Sequence, residues 1–557
     1  MGKALVKTHY YSRAISYYKD AIKLTDNPEL KLQLSDLYIK LQQYDKAEML
    51  LTSEIENENN KNVEDILTLK YKTKLMTMLS EIHEKSGNIS AALKTLRNAR
   101  ENQNRVIKRL SIEEADVSEE ETNYLKNICM KLSELAIAMK DNESAISYYK
   151  DALAMFSNDP AILSNLAKLY MMMNNLELCQ QTCAMLLKVD PDSEVASVMM
   201  ADIAFRKVDF DMASFHFTNL LSKQPTNWRA LVRFIEVLRR TGELDELPQY
   251  LQQAELTCVK ASKNPGFCYC TALYQWYSGN LNAALRNFNN ARLDTEWGKK
   301  AICNMIEICL NPEDEMLGDQ FFDGDDTEYR DSRTMALKTA DRLLRELKQK
   351  TGGSEEENFK YRLLGNFLLL ATKEKPNVER ALEDFTTLAS QDIYKEEIGP
   401  ILGLATAYTM LKQGQRAKNQ LKRVVKTVWT FDDAEYLERC WLLLADYYVQ
   451  SSKYDLASEL LKRVLQHNKA CTKAYEFSGF ISEKEQAYKD AANYYDCAWK
   501  FGGKTNPSIG YKLAHNFMKC KRFAEAIDIC QQVLKNHPDY PRIKKDILDK
   551  SLNNLRT

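Results

Sequence analysis

A small residue, a large one four positions on, and a small or apolar one three beyond that recur down the whole chain. Clear instances are Ala14/Tyr18/Ala21, Ala92/Leu96/Ala99, Ala145/Tyr149/Ala152, Ala284/Phe288/Ala291, Ala457/Leu461/Val464, Ala491/Tyr495/Ala498 and Ala526/Cys530/Val533. Weaker forms start at Ala47, Cys179, Ala213, Leu247, Ala336, Ala381 and Ala417, which brings the leading positions to fourteen. Nine residues before the leading position there is usually an apolar or aromatic residue, and three before that a small one. Trp441-x2-Leu444-Ala445-x2-Tyr448 ahead of Ala457 has every element, and Leu166-Ala167-x2-Tyr170 ahead of Cys179 repeats it. Spacings of three, four and seven put these side chains on one stripe of a helix. Each unit is therefore predicted to be a pair of antiparallel helices, brought close by the small residues. Pro191, Pro225 and Pro538, twelve residues after their leading positions, stop the second helix of a unit. One hairpin cannot bury its own apolar face, so the units must stack.

The period identifies the repeat. Intervals from 145 to 179, 213 and 247, and from 457 to 491, are 34 residues each, the length and pattern of the tetratricopeptide repeat. The predicted fold is all-α: an α-solenoid of about fourteen helix-turn-helix repeats forming a superhelix, with first helices on its concave wall and second helices outside. Longer intervals around Ala92 hold two polar stretches, Glu54 to Asp65 and Ser111 to Glu121, the second read as an exposed acidic loop or frayed helix end. Between Ala284 and Ala336 lies a helix near Lys299 to Leu310, followed by Asn311 to Asp331, with nine acidic residues against one basic and Phe321-Phe322 inside it. This segment reads as a solvated loop, with docking on a partner as the sharper alternative. The layout is then a repeat array over 1–310, an acidic inserted loop over 311–331, a continued array over 332–540, and a capping helix over 541–557. Met1-Gly2-x2-Leu5 falls on second-half positions of a first helix, so the first repeat is truncated and the chain reads as the C-terminal part of a longer repeat protein.

Composition narrows the alternatives. Gly (18) and Pro (12) make up about 5% of 557 residues, against roughly 12% in average usage. That is too few for the hairpins of a sheet protein or the glycine-rich turns of a nucleotide-binding fold, and these residues are expected mainly at hairpin turns and unit ends. A net charge of -1 gives no electrostatic reason to propose nucleic acid or an anionic membrane surface as the main partner. Asn264 to Leu285 is uncharged but too polar to sit in hydrocarbon, and the N-terminus lacks a signal-peptide core. The chain reads as intracellular.

No catalytic, cofactor-binding or metal-binding residues are predicted, and none can be assigned to a partner. The thirteen cysteines include no CxxC pair, and none of the six histidines stands near a cysteine pair at zinc-finger spacing. Cys179 and Cys183 occupy core positions of their repeat. Phosphate-loop, dinucleotide, zincin and nucleophile-elbow motifs are absent from the sequence. A co-chaperone-like peptide-binding module is the alternative function. It would use a Lys/Asn/Arg clamp on successive first helices, yet Asn165 has only Asp202 and Met199, or Met130 and Lys131, on its neighbours. A basic run, Lys412, Arg416, Lys418, Lys422, Arg423 and Lys426, has no acid up to Phe431. On a second helix it reads as solvated outer charge, with a site for an acidic partner as the alternative.

Beyond the generic repeat, His9 through Ala21 (HYYSRAISYYKDA), Asp36-Leu37-Tyr38 with Tyr44 through Glu48, and Asn536 through Pro541 (NHPDYP) resemble the C-terminal part of the tetratricopeptide repeat protein 21 family, the long repeat subunit of intraflagellar transport complex A. The resemblance covers the whole chain. It implies a non-catalytic scaffold or adaptor in retrograde ciliary transport and in the ciliary import of membrane receptors. The implied partners are the WD-repeat and tetratricopeptide subunits of that complex, a tubby-like adaptor and the dynein-2 machinery. It implies no cofactor, no nucleic acid and no direct membrane insertion. The implied locations are the cytoplasm, cilium, ciliary axoneme and basal body.

Overall fold

The computed structural model describes residues 9–556 apart from 26, 61–64, 113–118, 259, 311–328, 351–354, 392–393, 395–396, 431–432 and 541. Among the described residues there are twenty-eight α-helices and no strand. They resolve into a lone second helix (Tyr11–Leu24), thirteen successive hairpins from Pro28–Lys40 with Tyr44–Asn60 to Pro507–Lys519 with Phe523–Asn536, and a last helix, Asp549–Arg556. The all-α solenoid of about fourteen repeats is thus the observed architecture. The first helix expected around Met1 to Leu5 lies outside the described residues.

The repeat stripe is the core. All fourteen leading positions fall on second helices, and each is 0% exposed except Ala336, at 1%. A side chain no larger than leucine at each of these points sets the distance between layers, and the large residue four on fills the space above it. Tyr149, Phe288, Phe385 and Tyr495 are at most 2% exposed. Phe385 reaches the first helix of the next hairpin, Ile398–Met410, where a Cβ on Gly403 would stand 2.3 Å from its ring. This is the close approach across neighbouring units that the sequence pattern required. In the final layers Tyr495, Trp499, Leu513 and Phe517 pack with Ala526, Cys530 and Val533, and Ile543 and Ile547 of the C-terminal segment join the same cluster.

Glycine proves less tied to turns than expected. The residue five before the leading position adopts a left-handed conformation in repeat after repeat: Gln42, Lys140, Asn174, Val208, Lys412, Ser452, Gln486 and Lys521 all have φ between 55° and 64°. Only Gly87, Gly242 and Gly279 supply a glycine there. The next amide then donates back to the carbonyl five residues earlier, as in Gln43 to Tyr38 (3.0 Å), Asn175 to Tyr170 (2.9 Å) and Lys453 to Tyr448 (2.8 Å). This six-to-one bond closes the first helix. In several repeats the same residue caps the second: Asp141, Asn175, Asp209 and Asn280 accept from the amide three positions on. Tertiary stacking and this paired cap hold non-glycine residues where L-residues are disfavoured by about 1–2 kcal/mol. Glycines instead sit inside helices where chains touch, as at Gly266, Gly403 and Gly510.

The irregular intervals near Ala92 arise from longer helices. Ile66–Lys85, Ile89–Ile112 and Glu119–Ala138 have 20, 24 and 20 residues, against 13 or 14 in regular repeats such as Pro160–Met172 and Leu176–Val189. Helix occupies Glu54 through Asn60 and resumes at Glu119, inside the two stretches read as polar. The expected helix near Lys299 is Gly298–Leu310, and Tyr329–Lys350 begins three residues inside the predicted acidic loop. The rest of that loop, 311–328, and the loop at Thr351 lie outside the described residues. The chain divides into two compact units, Met1–Met199 and Met200–Thr557.

Candidate partner-binding surfaces

Ion pairs tie helices of the first unit together both within a hairpin and between hairpins. Lys31 meets Glu54 at 2.9 Å with both side chains largely buried, and Arg100 meets Asp151 at 2.9 Å. Lys131, the lysine nearest in position to the peptide clamp, is paired with Glu84 at 3.1 Å and lies 3.7 Å from Glu134. A carboxylate of the chain itself therefore occupies the cation that a peptide terminus would need. Asn165 is only partly buried on the Pro160–Met172 helix, and Met130 contributes no charge.

The second unit holds a polar seam that sequence reasoning did not find. Arg239 and Arg240, at the end of the Trp228–Thr241 helix, meet Glu435 and Glu438 on the Ala434–Gln450 helix, nearly two hundred residues away. Arg239 Nη1 lies 2.7 Å from Glu435 Oε1 and Arg240 Nη2 lies 3.1 Å from the same atom. The other Arg240 nitrogen, Nη1, donates to Glu438 Oε1. Asn468 Nδ2 donates to Glu438 Oε2 at 3.0 Å and Trp429 Nε1 to Oε1 at 3.4 Å. The Lys469 amide donates to the Arg240 backbone carbonyl at 2.7 Å. Arg240 and Glu438 are 4% and 6% exposed.

Aromatic rings enclose this pair. Trp429 stacks between Phe205 (5.1 Å) and His467 (5.0 Å), with the Arg240 guanidinium 5.4 Å from its ring centroid. Arg239 lies over Tyr277 at 4.1 Å, and Lys469 over Phe210 at 4.2 Å. Gly242, at φ 86°, admits Phe501 from the Tyr488–Phe501 helix so closely that a Cβ would stand 2.5 Å from the ring. The opening hairpins of this unit thus touch hairpins five to seven repeats further on.

The electrostatics agree with a closed seam. Burial opposes the charge on Arg240, but Glu438 and Glu435 outweigh it and hold the guanidinium above its ordinary pKa. Burial would raise Glu435, but Arg239, Arg240 and Arg439 hold it down at about 2. His467 is pushed down to about 4, by burial first and by Arg240 second. Burial raises Glu307 on the neighbouring Gly298–Leu310 helix.

Reactive chemistry is disfavoured where the sequence offered its closest candidates. None of the thirteen cysteines forms a disulfide, and nine are buried. A bond to Cys179 and burial both push the Cys183 thiol far up, and burial pushes Cys309 and Cys530 to about 12. Thiols so raised are poor nucleophiles and poor metal ligands. Among the described residues no group of three or more His, Cys, Asp or Glu could hold a metal ion, and no helix is long and apolar enough to cross a membrane. The basic run falls on the Gly414–Arg423 helix and the turn after it, with Lys412, Arg416, Lys422, Arg423 and Lys426 exposed and Lys418 half-buried.

Comparisons with known proteins agree with the repeat reading. Residues 339–552 match the tetratricopeptide repeat protein 21 C-terminal ARM domain, 194–310 the fifth ARM repeats domain of the same protein, and 1–153 its fourth ARM domain. Residues 136–201 match a tetratricopeptide repeat. The whole chain is 45% identical over 562 residues to tetratricopeptide repeat protein 21B of Homo sapiens, and 41% identical over 561 residues to tetratricopeptide repeat protein 21A of Mus musculus. It spans 42% of the length of each of these relatives. Among solved structures, the APC/C hetero-tetramer Cut9-Hcn1 is similar with a TM-score of 0.33 and 14% identity, over 99% of this chain and 95% of that one.

Proposed function

The chain belongs to the tetratricopeptide repeat protein 21 family, and from that premise we propose that it is a non-catalytic scaffold of the intraflagellar transport complex A. In this reading it acts in retrograde ciliary transport and in the import of membrane receptors into cilia. Its partners are the WD-repeat and tetratricopeptide subunits of that complex, with a tubby-like adaptor and the dynein-2 machinery further out. Its location is the cytoplasm and the cilium, including axoneme and basal body.

The supporting observation is an array of about fourteen stacked hairpins whose buried chemistry is committed to packing. The repeat stripe is 0–1% exposed at every leading position, and the thiols with resolved shifts are held protonated. What remains for function is surface, spread over many layers, which suits an assembly subunit. The peptide-clamp alternative is disfavoured, because Lys131 is already paired with Glu84.

Affinity purification of the tagged chain from ciliated cells, read by mass spectrometry, tests the assignment. WD-repeat and repeat subunits of the transport complex should co-purify in near-stoichiometric amounts. Recovery of chaperones alone, or of an enzyme as the sole stoichiometric partner, would refute it.

A further inference from the structure

The Gly414–Arg423 helix lies within a run of cations uninterrupted by any acid. Some exposed cations elsewhere are neutralised along their own helix: Lys40 by Asp36 (2.6 Å), Arg345 by Asp341 (2.6 Å), Lys500 by Asp496 (2.7 Å). Here no acid occurs from Lys412 through Phe431. Among the described residues Lys412, Arg416, Lys418, Lys422 and Lys426 make no ion pair with a carboxylate. Arg416 donates instead to the neutral Gln413 side chain at 3.0 Å.

The cations share one arc. Ala417, Leu421 and Val424 are 0–2% exposed and fix the buried side. At 100° per residue, Arg416, Lys418, Lys422 and Arg423 then fall on the remaining arc together with the uncharged Gln415 and Asn419, and Lys426 follows, exposed, in the turn after the helix. Lys418 is further placed by two rings, with its Nζ 5.9 Å and 5.7 Å from the Tyr447 and Tyr448 centroids. The next second helix, Tyr454–His467, is tied to the end of this arc by Arg463, which donates to the Val425 carbonyl.

We propose that this exposed arc, from Lys412 to Lys426, is a docking strip for an acidic segment of a partner protein. Like charges within a helical turn of one another are mutually destabilising, so Lys418 and Lys422, one turn apart and without an ion pair among the described residues, are stabilised by a bound polyanion. The strip is one helix wide, and its ten-residue helix is about 15 Å long at 1.5 Å per residue, enough for four or five residues of extended acidic chain. Its flanks favour a narrow ligand over a broad one. The preceding second helix exposes Glu379 and Glu383, and the following one exposes Asp455 and Glu459. Lys375 and Arg380 on the one helix, and Lys462 and Arg463 on the other, balance these carboxylates, so the excess positive charge is confined to one helix width and matches a single acidic strand. The proposal goes beyond the assembly role above and is tested on the isolated chain, so either can fail without the other.

The test is fluorescence anisotropy with a fluorescein-labelled dodecapeptide of alternating Glu and Asp, titrated with the whole chain at low salt. Controls are a Gln/Ser peptide of equal length, a twelve-nucleotide single-stranded DNA, and vesicles containing phosphatidylserine. The expected result is saturable binding of the acidic peptide alone, weakened at least tenfold at 300 mM salt. The variant Lys418→Gln/Lys422→Gln/Arg423→Gln/Lys426→Gln should lose at least tenfold affinity with an unchanged circular dichroism melt. A matched variant at Lys40, Arg345 and Lys500, whose cations are paired, should bind as wild type. No saturable binding, equal binding by the quadruple variant, or equal binding of DNA or vesicles would overturn the proposal.

Discussion

Replacing Arg240 with methionine keeps most of the aliphatic stem and removes the guanidinium that joins the two halves of the second unit. Glu438, 6% exposed, is then left without its cation. Stranding one partner of a buried pair costs about 3–5 kcal/mol. Glu438 retains donors from Asn468 at 3.0 Å and Trp429 at 3.4 Å, which favours the lower end, about 3 kcal/mol. Loss of the guanidinium beside Trp429, 5.4 Å from its ring centroid, adds about 1 kcal/mol. A total near 4 kcal/mol raises the opening constant of the seam roughly a thousandfold, at 1.4 kcal/mol per tenfold. Hydrogen exchange reads this directly, since the Lys469 amide crosses the seam to the Arg240 carbonyl at 2.7 Å. Exchange at Lys469 and in peptides covering 429–440 should accelerate by two to three orders of magnitude, while Pro160–Met172 in the first unit should be unaffected. In the double variant R240M/E438Q no charge is stranded, so more than half of the lost protection should return. Unchanged exchange at Lys469 in R240M, or a double variant as open as the single one, would refute the account of the seam.

Three further outcomes follow from the same structure. Val208 is β-branched and held at φ 64°, so V208G should raise stability by about 0.5–1 kcal/mol after the entropy cost of glycine; an unchanged or lower urea midpoint would contradict the strain. Gly403→Ala places a Cβ 2.3 Å from the Phe385 ring and should cost about 1–3 kcal/mol by overpacking, measured as a lower melting temperature for the transition of the second unit. Acid should weaken the second unit in two windows. His467, at about 4 in the folded state, is below its unfolded value near 6.5, so the unfolded chain binds more protons between these values and stability falls as pH drops through them. Glu435, at about 2, adds a second loss as pH falls from about 4.5 toward 2. H467Q should flatten the first window and E435Q the second; a wild-type profile in both variants would count against the assignment.

The sequence carried most of the local design. A stripe of small and large residues at helical spacing, read with a 34-residue period, located all fourteen second helices, because burial at a close helix contact admits few side chains and leaves a mark at every repeat. The left-handed turn left no such mark. Gln42, Lys140, Asn174, Val208 and Ser452 have nothing in common as side chains; what selects the conformation is the backbone bond from the following amide to the carbonyl five residues back. Arg240 likewise looked like any charge on a polar helix face, as did Glu435 and Glu438.

Those three residues meet only because small rotations accumulate from hairpin to hairpin until the second unit closes on itself. Nothing in a window of 34 residues encodes that closure, since each repeat specifies its packing on the next and the sum is fixed by the whole stack. The basic arc is the converse case. Its charges were legible as a run, but the buried side of the helix and the lack of an ion pair at Lys418 and Lys422 among the described residues are properties of the folded chain. Sequence alone determined that the protein is a stack of helical repeats; tertiary structure decided which of its charges are locked inside and which stay on the surface.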